Sequence, residues 1–172
     1  MDLRLIALLP LALASAVLAQ QSTEFPTNQK FIIQLTSSQF ASGFGEYLVP
    51  PLLKAFEKTG MVYAYDSEAD FAATIETGAD VGKWYEADDA ADVAKVWLYE
   101  RFVTVGLSPA EIDIEPHGKL TPSFSVTVRL VTPDQDRVDE LNCLIALATR
   151  ELAARYRAKG HFWVNGSGCA RK

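Results

Sequence analysis

The sequence predicts an α+β domain, a mostly antiparallel sheet with about three helices on one face, in the order β-α-β-β-α-β-β-α-(β). Three observations carry this. Residues 111–115 and 124–130 alternate strictly between apolar and polar side chains, the period of strands with one buried face. Val138, Leu141, Ile145, Ala148, Leu152 and Tyr156 recur at three- and four-residue steps, which makes one face of a helix. No repeat, low-complexity tract or linker divides the chain, so these elements are expected to share one core.

The elements follow in chain order. Met1-Asp2-Leu3-Arg4 opens the sequence, an apolar run continues to about Leu13, and small residues end at Val17-Leu18-Ala19 before Gln20. One basic residue, a short apolar core and a Val-x-Ala ending form the layout that signal peptidase cleaves. Residues 1–19 are therefore expected to be a removable signal peptide and the protein to be exported. The apolar run is short for a bilayer, and Pro10 interrupts it. No later stretch is apolar for long enough to cross a membrane, so no membrane span is expected in the mature chain. Residues 20–29 are polar and read as a flexible lead-in. Residues 30–172 are expected to form the single globular domain, ending in a C-terminal tail.

Lys30-Phe31-Ile32-Ile33-Gln34-Leu35 reads as a first buried strand. Phe40, Phe44, Leu48, Leu52 and Phe56 then recur every four residues, a helical stripe. Gly43, Gly45 and the Pro50-Pro51 pair weaken its first part. Firm helix is expected from about Pro51, where proline suits a first turn, to a stop at Gly60. Residues 61–66 and 70–77 read as short strands and residues 78–83 as a loop. Asp88 or Asp89 can cap a second helix through Ala90, Val93, Val96, Trp97 and Leu98 to about Val103. Pro116-His117-Gly118-Lys119 supplies turn chemistry that would join residues 111–115 and 124–130 as a hairpin. For the last helix, Thr132 is placed for the N-cap, Pro133 for the first turn and Gln135 for a capping box. Gly160 ends that helix, which leaves residues 161–164 for a short final strand.

The chain is 49% hydrophobic and 10% aromatic, enough to fill a core and too apolar for disorder. Net charge is −6, and Asp2 and Arg4 cancel within the signal peptide, so the mature chain is acidic too. That disfavours nucleic acid and anionic membrane surfaces, both of which are held mainly by Lys and Arg. Cys143 and Cys169 are the two cysteines. In an exported chain such a pair is expected to form a disulfide. At 100° per residue Cys143 faces almost opposite the helix stripe, beside Leu147. The helix from Cys143 to Lys159 rises about 24 Å and the residues after it reach about 33 Å, so Cys169 can return. The tail is expected to be pinned there over Leu147.

The usual catalytic signatures are missing: no Gly-x-Ser-x-Gly elbow, phosphate-binding loop, dinucleotide fingerprint or His-Glu-x-x-His. Glu111, Asp113, Glu115 and His117 lie on one face if the strand stays extended, and carboxylates with an imidazole suit a divalent ion. Residues four apart on a strand are about 13 Å apart, so at most two neighbours can share one metal. A solvated face of an edge strand accounts for the same pattern. The acidic run from Asp66 to Asp92 fits no EF-hand loop. Its members Asp88, Asp89 and Asp92 suit a helix start. Trp84-Tyr85 follows the glycine-containing loop directly. If exposed, the pair can anchor a protein partner or stack on a sugar. If it tucks back, it caps the core.

These residues point to an exported, non-enzymatic accessory protein that binds an unknown protein partner and needs no cofactor. The contact region would hold Trp84, Tyr85, Asp88 and Asp89. One alternative is a small metal-binding protein or metal-dependent enzyme using His117 with Asp113 and Glu115. Another is a glycan or cell-wall binding module using Trp84 and Tyr85. The short, alanine-rich signal peptide favours a periplasm over the extracellular medium.

Overall fold

The computed structural model describes residues 24–36, 39, 42–65, 68–86, 95–110, 122–134 and 136–170. In chain order these form β1 (Lys30–Gln34), α1 (Gly45–Glu57), β2 (Val62–Tyr63), β3 (Phe71–Ala79), β4 (Lys83–Glu86), β5 (Lys95–Pro109), β6 (Phe124–Thr132), α2 (Val138–Arg155) and β7 (Gly160–Asn165). The strands make one seven-stranded sheet in the order β2-β1-β3-β5-β6-β7, with β4 paired to β5 off that path.

The α+β class holds, but the sheet is mixed, and two α-helices rather than about three occur among the described residues. β1 runs parallel to β2 and β3, and β7 runs parallel to β6. β3, β4 and β6 run antiparallel to β5. The parallel pairs have a plain cause. α1 carries the chain from β1 to β2, and α2 carries it from β6 to β7. A helical crossover returns the chain in the same direction. Alternation along a strand reports a buried face and is silent on the direction of its neighbour.

The segment expected to be a second helix is β5 from Lys95 onward. Its run Lys95-Val96-Trp97-Leu98-Tyr99 continues into Phe102-Val103-Thr104-Val105, dense in aromatic and β-branched residues that fit a pleated sheet better than a helix. Trp97, Tyr99 and Phe102 are therefore strand residues. Of the expected hairpin, residues 124–130 are strand, within β6. Both edges of β6 are taken, by β5 over Tyr99–Leu107 and by β7 over Gly160–Asn165. Residues 111–121 themselves lie outside the described residues.

One core lies between the sheet and the helices. α2 packs over β5 and β6, and α1 packs beside α2 and over β2. Val103, Val105 and Leu107 of β5 face Val128, Val126 and Phe124 of β6 in register. Leu141, Leu144, Ile145, Ala148 and Leu152 of α2 close over them, and Leu48, Leu52 and Phe56 of α1 join the same cluster. The α1 stripe starts earlier than expected, at Gly45, with Pro50 and Pro51 inside the helix. Burial of Leu48 with Leu52 and Phe56 holds the extra turn despite the missing donors. The stop at Gly60 holds, with φ +90°.

Thr132 is not a helix cap. It ends β6, fully buried, and its hydroxyl donates to the Glu140 carboxylate at 2.8 Å. α2 starts at Val138, with Arg137 before it. Glu140 also accepts from Arg137 at 3.3 Å, and Arg101 Nη1 donates to the Arg137 carbonyl at 2.6 Å. Burial lowers the pKa of Arg101, an effect opposed by Glu140, Asp136 and Asp134. This network ties β5, β6 and the start of α2 together, because buried charges persist only when paired.

Cys143 and Cys169 form a disulfide with Cα atoms 5.6 Å apart. The chain returns to it first as β7 along β6, then through a short turn at Ser167–Cys169. Leu147 is not capped by that return; it lines an open groove beside the bridge.

Candidate functional site

β5 is 15 residues long, and β6 pairs only with its part from Tyr99 onward. The N-terminal part instead pairs with β4, Lys83 to Glu86 opposite Leu98 to Lys95. The result is a two-stranded arm. α2 begins at the level of Arg101, where the Arg137 carbonyl is held. Trp97 sits four residues earlier, about 13 Å further along the strand. The arm therefore continues past the end of the helix that covers the rest of β5.

Trp84 and Trp97 are directly opposed across the arm, and their rings meet edge to face with centroids 5.2 Å apart. Trp97 continues the series toward Tyr99 at 6.5 Å. Cross-strand aromatic pairs of this kind stabilise a two-stranded ribbon by about 0.2–1 kcal/mol. The rings are not core: Trp84 is 65% exposed and Trp97 39%. Gly82 makes the arrangement possible, since a side chain there would collide with the Trp97 indole. Val81 and Val96 extend the apolar surface of the arm.

Of the residues the sequence singled out, Trp84 stands exposed on the arm and Tyr85 is half-buried on its other face, opposite Val96. Asp88 and Asp89 lie outside the described residues, as do Asp113, Glu115 and His117. Among the described residues no three His, Cys, Asp or Glu side chains come together as a metal site would need. Sequence reasoning missed Trp97, because a helix would have placed it away from Trp84. The signal that finds it is the β-branched and aromatic density of residues 95–105.

Trp163 is also exposed, on the other face of the sheet. The Arg129 guanidinium lies 4.1 Å from its ring centroid and pairs with Glu100. Nearby, Ser125 Oγ and His161 Nδ1 are 2.6 Å apart. Ser125 is buried, and among the described residues no carboxylate orients the imidazole. This contact ties β6 to β7.

No family model matches the chain, and no curated protein does. Among solved structures, a minor lipoprotein from Acinetobacter baumannii superposes with a TM-score of 0.43 at 13% identity, over 77% of this chain and 98% of that one. A candidate neuraminyllactose-binding hemagglutinin homologue from Helicobacter pylori superposes with a TM-score of 0.32 at 10% identity, over 81% and 87%. Both likenesses are too loose to bear on function. Among the described residues no helix is long and apolar enough to cross a membrane.

Proposed function

We propose that this is an exported, non-enzymatic binding protein that uses the Trp84–Trp97 arm to hold another protein. The observation that carries the reading is the exposure of two facing tryptophans on a ribbon that projects past the covering helix. Clustered exposed aromatics are a feature of contact surfaces, where Trp contributes most of the binding energy. The Cys143–Cys169 bridge fits an oxidising compartment. The periplasm is the compartment proposed, on the form of residues 1–19. Asp88 and Asp89 are proposed to flank the same contact, since they fall in the connection between β4 and β5.

The test is photo-cross-linking of the mature protein in its exported fraction, with the reactive group at Lys83. A discrete protein adduct is expected. Trp84→Ala and Trp97→Ala should each weaken capture by about 30-fold, the size of a 2 kcal/mol hot spot. Far-UV circular dichroism should not change. If either variant unfolds, the rings belong to the core and the reading fails. Binding to glycans with no protein adduct would replace it with a sugar-binding module.

A further inference from the structure

A groove of about 810 Å³ opens on the side of the molecule where α1 and α2 meet. Among the described residues its apolar lining comes from four separate stretches of chain: Phe25 of the N-terminal segment, Ala55 of α1, Cys143 and Leu147 of α2, and Cys169 of the tail. Small side chains along α2 leave the space, and the disulfide holds the tail as one wall. The volume falls in the usual range of small-ligand sites. Two further lining residues, Lys58 and Arg150, are cations. Both are exposed, Arg150 to 72%, so they stand at the rim.

The charge pattern is the informative part. The whole chain carries 22 acidic against 16 basic residues, yet among the described residues no carboxylate lines the groove. Arg150 touches Glu151 only at 3.5 Å, and Glu151 is shared with Arg155 at 3.1 Å. An apolar trough edged by two cations, on an otherwise acidic protein, complements a ligand with a long hydrocarbon part and a negative head. We infer that this groove binds a single-chain amphiphile with an anionic head, of the long-chain carboxylate class, with Lys58 and Arg150 holding the carboxylate.

Hexadecanoate, kept below its aggregation threshold, is the probe. It would be titrated calorimetrically into the full mature protein after bound lipid is stripped on a hydrophobic resin. Saturable one-to-one binding is expected, and the Lys58→Glu, Arg150→Glu double variant should weaken it by at least about tenfold, the size of one charge-assisted hydrogen bond. Hexadecanol, which lacks the charge, should bind weakly in the same way. Ala146→Trp should block the trough while the far-UV spectrum stays native. Trp84→Ala should leave binding unchanged, which separates this site from the aromatic arm. No saturable binding, equal affinity for the alcohol, or a response to Trp84→Ala instead of to the rim charges would overturn the inference.

Discussion

β5 has two halves that share a strand conformation and a similar composition but not an environment. From Arg101 to Ser108 it lies under α2, and Val103 and Val105 are fully buried. From Lys95 to Leu98 it pairs with β4 alone, and Trp97, which shares the face of Val103 and Val105, is 39% exposed. The side-chain alternation runs through both halves unbroken. What differs is whether a helix lies over the strand. Local pattern thus sets which way a residue points, and the layer above sets whether pointing inward means burial.

The largest expected effect is at the junction of the two halves. Arg101→Ala would remove the donor to the Arg137 carbonyl and one of the buried charges that balance Glu140, which keeps Arg137 and Thr132. It should lower stability by about 4 kcal/mol in urea denaturation, as loss of one member of a buried charge network does. A loss near zero would mean that α2 does not depend on the junction for its docking. Next comes the bridge. Cutting a cross-link between residues 26 apart in sequence should cost about 3.5 kcal/mol by loop entropy. Cys143→Ser with Cys169→Ser measures it, and the loss should leave the arm's tryptophan fluorescence intact.

The direct test of the comparison removes one inward-facing side chain from each half of the strand. Val105→Ala removes buried methyl groups and should cost about 2 kcal/mol. Trp97→Ala, on the same face, should cost at most about 1 kcal/mol, the size of a cross-strand aromatic pair. Equal losses at the two sites would show that the arm is covered in solution. The smallest effect is a pH dependence at the far end of the core. Burial raises the Tyr156 pKa above 10.0, so the folded state holds the phenol proton more tightly than the unfolded chain does. Stability should therefore be fully present below about pH 10 and decline as pH rises through the folded value. Tyr156→Phe should flatten that decline, as followed by thermal melts across the alkaline range.

Several features were legible because they depend on neighbours in sequence. The α2 stripe, the Gly60 stop, the first strand and β6 all follow from spacing and backbone preference within a few residues. The bridge between Cys143 and Cys169 was legible too, since two cysteines leave one pairing and the reach was sufficient. The β5 segment was misread because Val93, Val96 and Trp97 also fit a helical stripe, and a short apolar run satisfies both periods. Half of the candidate site went with it. Trp84 was visible as an aromatic after a glycine loop, whereas its partner Trp97 becomes a partner only once the segment is a strand in register with β4.

The sequence by itself determined the class of structure, the faces of α2 and β6, the cross-link and the acidic balance. These are properties of residue order, composition and short-range geometry. Only the tertiary structure decided that β1 and β7 run parallel to their neighbours, that Thr132 serves Glu140 instead of a helix end, and that two tryptophans 13 positions apart meet on an uncovered arm. Each of those depends on which elements come to lie side by side or on top of one another. That is settled by the packing of the whole chain, because burial and cross-strand pairing are free energies shared between distant segments.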